Sequence, residues 1–202
     1  LATLPFQEET MVSNEELLHE WQQGNVAALE VLVQRCHAPL VAHLYRLLGD
    51  AHMAEDIAQE TFLNLVRDAH AYCYPRPFFP WFYTIARRLA LNYQLSAYRR
   101  HTEIGTPLPD VQANEPDPVE WLVRWEQHHE LQQALAHLSF EHREILSLRF
   151  GQQFSVKEVA ELLTIPSGTV KSRTFKALHL LRHYLEQQKL QHPDKRGEKR
   201  YG

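Results

Sequence analysis

Residues 155–181 read SVKEVAELLTIPSGTVKSRTFKALHLL, and this stretch decides the fold. Ser155 is a strong N-cap with Glu158 three residues on to complete a capping box, and Val156, Val159, Ala160, Leu162 and Leu163 supply an apolar face. The run Ile165-Pro166-Ser167-Gly168 then interrupts the helix, because the residue before a proline is pushed out of the α region and a serine caps a new start. The spacing therefore predicts a helix-turn-helix. Advancing about 100° per residue along its second helix places Val170, Thr174, Ala177, Leu178, Leu181 and Leu185 toward a core. Ser172, Phe175, Lys176 and His179 lie opposite, flanked by Lys171 and Arg173 and free of acids. Donors near the N-terminus of a second helix suit a DNA major groove, whereas a bland alternative is a solvated basic face.

The net charge of −4 over 202 residues argues against nucleic-acid binding until its distribution is read. Residues 1–30 hold six acids and no Lys or Arg, and residues 101–126 hold six acids against Arg124 alone. Residues 82–100, in contrast, hold four arginines and no acid. Charge is segregated into acidic segments and basic patches, which bears on partners more than the sum does. The only cysteines, Cys36 and Cys73, make neither a disulfide framework nor a metal spacing, which fits a reducing cytoplasmic setting. The 13 histidines are scattered; Cys36-His37 and His128-His129 lack a second ligand pair. No cofactor or metal is therefore expected. With no apolar run of membrane length and no leader pattern, no membrane insertion is expected either.

Along the chain, residues 1–12 read as a disordered N-terminus. Ser13 and Glu16 open a first helix, Gly24-Asn25 breaks it, and a second runs over 26–48, with a kink expected at Pro39 and a stop at Gly49. A third, from about Ala51 to Ala69, puts Ile57, Thr61, Leu65 and Val66 on one side and Asp56, Gln59, Glu60 and Leu63 on another. The second stripe is either plain solvated surface or a docking face.

From Ala71 to Arg100 the chain reads AYCYPRPFFPWFYTIARRLALNYQLSAYRR. Pro75, Pro77 and Pro80 force an irregular loop set among Tyr72, Tyr74, Phe78, Phe79, Trp81, Phe82 and Tyr83, which runs into a helix bearing Arg87, Arg88, Arg99 and Arg100. Aromatic faces beside unopposed cations are what unpaired nucleic acid needs, for stacking and for phosphates respectively. Many of these aromatics are equally expected in a core, and Phe82, Ile85 and Leu89, which share a face, are the candidates for burial. Residues 101–118, HTEIGTPLPDVQANEPDP, carry four prolines and no apolar period and read as an extended acidic linker. Helical pattern resumes at Val119, through Trp121, Leu122 and Trp125, then Leu131, Leu135 and Leu138, with another helix over 140–150 holding Ile145, Leu146 and Leu148. Residues 186–202 read as a charged tail.

In order, AEDIAQETFLNL (54–65), WFYTIARRLALNY (81–93), REILSLRF (143–150), SVKEVAELL and IPSGTVKSR (165–173) resemble a bacterial RNA polymerase sigma factor of the extracytoplasmic-function (ECF) type, which has only sigma regions 2 and 4. The resemblance implies an all-α chain of two small helical domains, a region 2 bundle over 13–100 and a region 4 helix-turn-helix domain over 119–185, joined by an extended linker. It implies a non-enzymatic transcription initiation factor that binds core RNA polymerase through its largest subunit. Its DNA partner would be promoter DNA, both duplex and melted non-template strand, and an anti-sigma factor would hold it in check.

Position by position, Asp56, Gln59, Glu60 and Leu63 match the polymerase-docking region. The minus-ten element falls to Tyr72, Tyr74, Phe78, Phe79, Trp81, Arg87, Arg88, Asn92, Arg99 and Arg100, with the Tyr72–Pro80 loop matching the segment that captures a flipped base. The minus-thirty-five element falls to Ser167, Thr169, Lys171, Ser172, Arg173, Phe175 and Lys176. Three positions depart from the family pattern: Arg88 stands where asparagine is usual, Leu178 where a base is common, and Thr164 where glycine is expected between the two helices. Two other classes compete on the residues alone. A stand-alone helix-turn-helix regulator leaves the aromatic-arginine segment and the acid stripe without a role, and a hydrolase lacks ligand spacing, nucleophile motif and phosphate loop.

Overall fold

In the computed structural model, which describes residues 12–104 and 130–191, the first helix starts where its capping chemistry requires. Ser13 Oγ accepts from the Glu16 N–H at 3.2 Å while Glu16 Oε2 accepts from the Ser13 N–H at 2.8 Å, which opens α1 (Asn14–Gln22). α2 (Val26–Leu48) runs through Pro39 without ending there, and Gly49 closes it in the left-handed conformation at φ 73°. In α3 (Ala51–Asp68), Asp50 is the N-cap, accepting from the Met53 N–H at 3.0 Å. A 3-10 turn over Ala69–Ala71 leads through the aromatic loop into α4 (Phe78–Ile104). The linker expected from residue 101 thus begins no earlier than the end of α4, since residues 101–104 are helical.

The second half holds α5 (residues 130–136), α6 (Phe140–Leu146), a π-turn over Ser147–Gly151, α7 (Val156–Leu163) and α8 (Ser167–Gln191). Residues 186–191, read from sequence as tail, continue α8. The expected helix start at Val119 and its tryptophans, the remainder of the linker and both termini lie outside the described residues. Among the described residues the chain is helical with no strand, as expected.

The main core runs through both halves. Leu18, Leu32, Leu40, Leu44, Leu65, Phe78 and Phe82 are fully buried in the N-terminal helices, each contributing about 1.5–3 kcal/mol by leaving water. Ile145, Leu148, Phe154, Val159, Leu162 and Val170 belong to this same cluster. A smaller cluster of Leu135, Leu138, Leu146 and Ala177, with Leu181 packed on it, ties α5 and α6 to α8. Burial departs from the helical-wheel expectation at the rims: Val66 and Leu178 are exposed, as is Leu131.

The helix-turn-helix forms as read. Ser155 and Glu158 make the capping box of α7. At its end Ile165 N–H bonds the Ala160 carbonyl and Thr164 N–H that of Glu161, the paired bonds of a Schellman turn. This turn demands a left-handed residue, and Thr164 supplies it at φ 55°, ψ 45°. A β-branched side chain there costs about 1–2 kcal/mol, and Thr164 is exposed, so little packing compensates. Thr164→Gly is expected to raise stability by about 0.5–1 kcal/mol, the relief less the extra chain entropy of glycine. Urea denaturation measures it, and a destabilised variant would contradict the strain.

Candidate nucleic-acid interface

Three surfaces carry the residues singled out in the sequence. On α3, Asp56, Gln59 and Glu60 are exposed, and Leu63 is exposed to 66%. Their i, i+3, i+4, i+7 spacing sets them in one line, while Ile57, Ala58, Thr61, Phe62 and Leu65 bury the opposite side. Exposed Val66 (44%) lies one turn beyond, three residues from Leu63, and extends the apolar end of the stripe. Leu63 and Val66 thus add exposed apolar area at the end of a line of three polar side chains.

The aromatic segment divides. Tyr72 is buried and its hydroxyl donates to the Arg76 carbonyl. Phe78 is wholly buried, stacked on Phe82 with ring centroids 5.0 Å apart. Withdrawing Phe78 would cost about 2–3 kcal/mol of apolar burial, so Tyr72 and Phe78 are core, contrary to the sequence assignment of both to DNA. Burial also pushes the Tyr72 hydroxyl up to about 12. Helix α1 fixes the loop from the other side, a role not visible in local pattern. Gln22 Nε2 donates to the Ala69 and Tyr72 carbonyls at 2.7 and 3.1 Å, His19 stacks on Tyr74 at 4.7 Å, and Glu15 Oε1 accepts from the Phe78 N–H at 2.8 Å.

What remains accessible on this surface is Tyr74, Trp81, Arg88 and Asn92. Trp81, half-buried against Tyr72, lines an open pocket of about 310 Å³ with Asp68, His70, Thr84, Ile85 and Arg88. An indole face, a carboxylate and a guanidinium around one hollow match the stacking face and hydrogen-bonding edge of a base. Asp68 also receives the Arg67 Nε–H at 3.0 Å, which holds its carboxyl below the usual range. Arg99 and Arg100 belong to the later turns of α4. Phe79 and Arg87, however, face the C-terminal half: Phe79 lies 5.6 Å from the Phe154 ring, and Arg87 Nε donates to Glu144 Oε1 at 2.8 Å.

On the helix-turn-helix, Ser167, Lys171, Ser172 and Lys176 are exposed, and Phe175 is exposed to 75%. Thr169 is half-buried and its carbonyl accepts from Ser172 Oγ at 3.1 Å. Arg173 lies 3.2 Å from Glu141 Oε2, an acid from α6 that the helical wheel of α8 could not include. At such exposure the pair is worth at most about 1 kcal/mol and leaves the cation usable. Lys176 and Arg173 in turn add to the burial that holds the His142 imidazole below its ordinary value. Val170 and Ala177, fully buried, anchor the helix so that this face points outward.

Comparison with known proteins agrees with this geometry. Residues 32–101 match the family described as Sigma-70 region 2, and residues 134–183 match Sigma-70, region 4. The ECF RNA polymerase sigma factor SigW of Bacillus subtilis is 33% identical over 149 residues, covering 70% of this chain and 80% of that protein. SigL of Mycobacterium tuberculosis, also an ECF sigma factor, is 32% identical over 176 residues, covering 81% of this chain and 92% of its own. Among solved structures, the sigma factor RpoE in complex with the anti-sigma factor NepR from Bartonella quintana has the same fold, with a TM-score of 0.68 at 22% identity over 80% of this chain and 98% of that one. CnrH, solved with the cytosolic domain of CnrY, gives 0.67 at 20% identity over 86% and 97%. With both regions matched in order and the helices in place for each, the chain belongs to the sigma-70 family, as an ECF sigma factor.

Proposed function

We propose that this sigma factor, a promoter-recognition initiation factor, docks on the largest subunit of core RNA polymerase through Asp56, Gln59, Glu60 and Leu63. In this reading a region 2 unit over 13–100 and a region 4 unit over 119–185 each take one promoter element. Trp81, Arg88 and Asn92, with Tyr74, Arg99 and Arg100, hold the melted non-template strand of the minus-ten element, and the Trp81 pocket takes a flipped base. Extracting a base costs a few kcal/mol, so a site that binds it favours duplex opening without catalysis, and the chain acts as no enzyme. Ser167, Thr169, Lys171, Ser172, Arg173, Phe175 and Lys176 read the minus-thirty-five duplex. An anti-sigma factor, as in the RpoE complex, restrains it in the cytoplasm; no helix among the described residues is long and apolar enough to cross a membrane.

The observation that carries this reading is the α3 stripe with its exposed leucine, which a stand-alone helix-turn-helix regulator has no use for. Mixed with core polymerase, the purified chain is expected to co-elute with it and to give transcripts from discrete start sites on a genomic template. Tight duplex binding by the chain alone, unchanged by added polymerase and without initiation, would favour the plain regulator.

A further inference from the structure

α6 and α8 meet where Leu146 and Ala177 share one apolar cluster, and one turn earlier on each helix a charged or titratable group takes over. On α8 this is Arg173, four residues before Ala177; on α6 it is His142, four residues before Leu146. The two helices also touch through charge, since Glu141 Oε2 lies 3.2 Å from Arg173 Nη1. His142 is half-buried, and its Nδ1 lies 2.9 Å from Ser139 Oγ. With that ring nitrogen engaged, Nε2 is the one left for a further partner. Burial, then Lys176 and Arg173, hold the imidazole below its ordinary value, and Glu141 opposes them. These three are the charged side chains that act on the ring, two from α8 and one from α6 itself. Other ionisable groups around α6 are turned elsewhere: Glu144 to Arg87, His43 of α2 to Ser147, and His137 to a stack on Tyr184 at 4.2 Å.

We propose that the minus-thirty-five surface extends from α8 onto α6, where His142 as imidazolium binds a phosphate of the duplex backbone beside Lys176 and Arg173, so that duplex binding takes up a proton. This rests on the assignment of the α8 face to the duplex. In the free chain the ring sits beside two cations, which repel a second proton. A DNA backbone laid on Lys176 and Arg173 neutralises both and brings an anion to the ring, so the neighbours that keep it neutral when free favour its charging in the complex. The proton comes from solvent to Nε2. The imidazolium then donates from Nδ1 to Ser139 Oγ and from Nε2 to a phosphate oxygen, which satisfies both nitrogens. Glu141, an acid at the edge of this surface, repels the backbone, and a charged His142 next to it offsets that repulsion. A phosphate contact fixes position and carries no base information, so His142 adds grip and pH dependence while sequence preference stays with α8.

The test titrates salt at two pH values. The full chain and His142→Gln, which keeps a partner for Ser139, are each bound to a fluorescent mixed-sequence DNA duplex, and anisotropy gives affinity against salt concentration. Each phosphate contact steepens the fall of log affinity with log salt by about 0.9. At pH 5.5 the parent slope is expected to exceed that of His142→Gln by about this amount, and at pH 7.5 the two should nearly coincide. The ratio of parent to variant affinity should rise by up to about tenfold on going from pH 7.5 to 5.5, as for one group whose pKa moves a unit on binding. His142→Arg, with its charge fixed, should keep the steeper slope at both. His179, exposed on the α8 face, is common to all three proteins and cancels. Equal slopes for parent and His142→Gln at pH 5.5, with full helicity in both, overturn the contact. A slope lowered equally at both pH values overturns the proton uptake. Lys176→Ala separates these failures from that of the underlying reading: it should weaken duplex binding at pH 7.5, and undiminished affinity would take α8 off the duplex and the proposal with it.

Discussion

Reversing two charges on α3, Asp56→Arg together with Glu60→Arg, is expected to abolish binding to core RNA polymerase, with a loss of at least about 100-fold in affinity. A like-charge juxtaposition in an interface costs several kcal/mol, and each 1.4 kcal/mol is about tenfold. The fold should be untouched. Both side chains are exposed, and the one bond lost is the 3.4 Å contact from Asn64 Nδ2 to Glu60, so stability should move by no more than about 0.5 kcal/mol. Leu63→Ala should weaken binding more modestly by removing exposed apolar area without adding repulsion. Affinity for purified core enzyme and far-ultraviolet circular dichroism together decide the matter: full helicity with undiminished affinity would remove the stripe from the docking site.

This stripe was legible in the sequence because position on a helix is local information. Asp56, Gln59, Glu60 and Leu63 share a face whatever the rest of the chain does, and the capping boxes at Ser13 and Ser155 are equally local. The left-handed turn at Thr164 was signalled only through the resemblance, which expects glycine there. The aromatic loop was not resolved in this way. Composition marks Tyr72, Tyr74, Phe78, Phe79 and Trp81 alike, yet Tyr72 and Phe78 are core, Phe79 meets Phe154, and Tyr74 and Trp81 remain accessible. What sorts them is long-range: Glu15 at the start of α4, Gln22 beneath the loop, and Phe154 from the far half. Arg87 shows the same limit. Its partner Glu144 lies 57 residues away, in a segment whose pattern reads only as helix. The division of α4 into residues that pack on the far half and residues that line the open pocket is thus a property of packing between halves, which periodicity does not encode.

Acidification from pH 7 to pH 5 is expected to reveal two opposite slopes within that same packing. His43 is buried on α2, its Nδ1 2.9 Å from Ser147 Oγ and its ring 5.0 Å from Tyr83. Burial, with a further push from Arg46, holds its pKa down to about 3. The unfolded chain takes up this proton near 6.5, so the His43 contribution is intact above that value and is lost as pH falls toward 3. Glu144 runs the other way. Burial raises its pKa to about 7, with Glu141 adding to the rise while Arg87 and Arg173 oppose it. Its contribution is therefore full below about 4.5, where the unfolded chain also holds the proton, and is lost as pH rises through 7. Between pH 7 and 5 each group shifts stability by about 2 kcal/mol, at 1.36 kcal/mol per pH unit, and the two nearly cancel. Glu144→Gln removes the gain, so this variant should weaken on acidification. His43→Gln, which keeps a partner for Ser147, removes the loss and should strengthen over the same range. All other groups are common to the three proteins and drop out of the differences. Urea midpoints at pH 5, 6 and 7 measure both slopes, and two variants drifting in the same direction as the parent would contradict the assignment of either group.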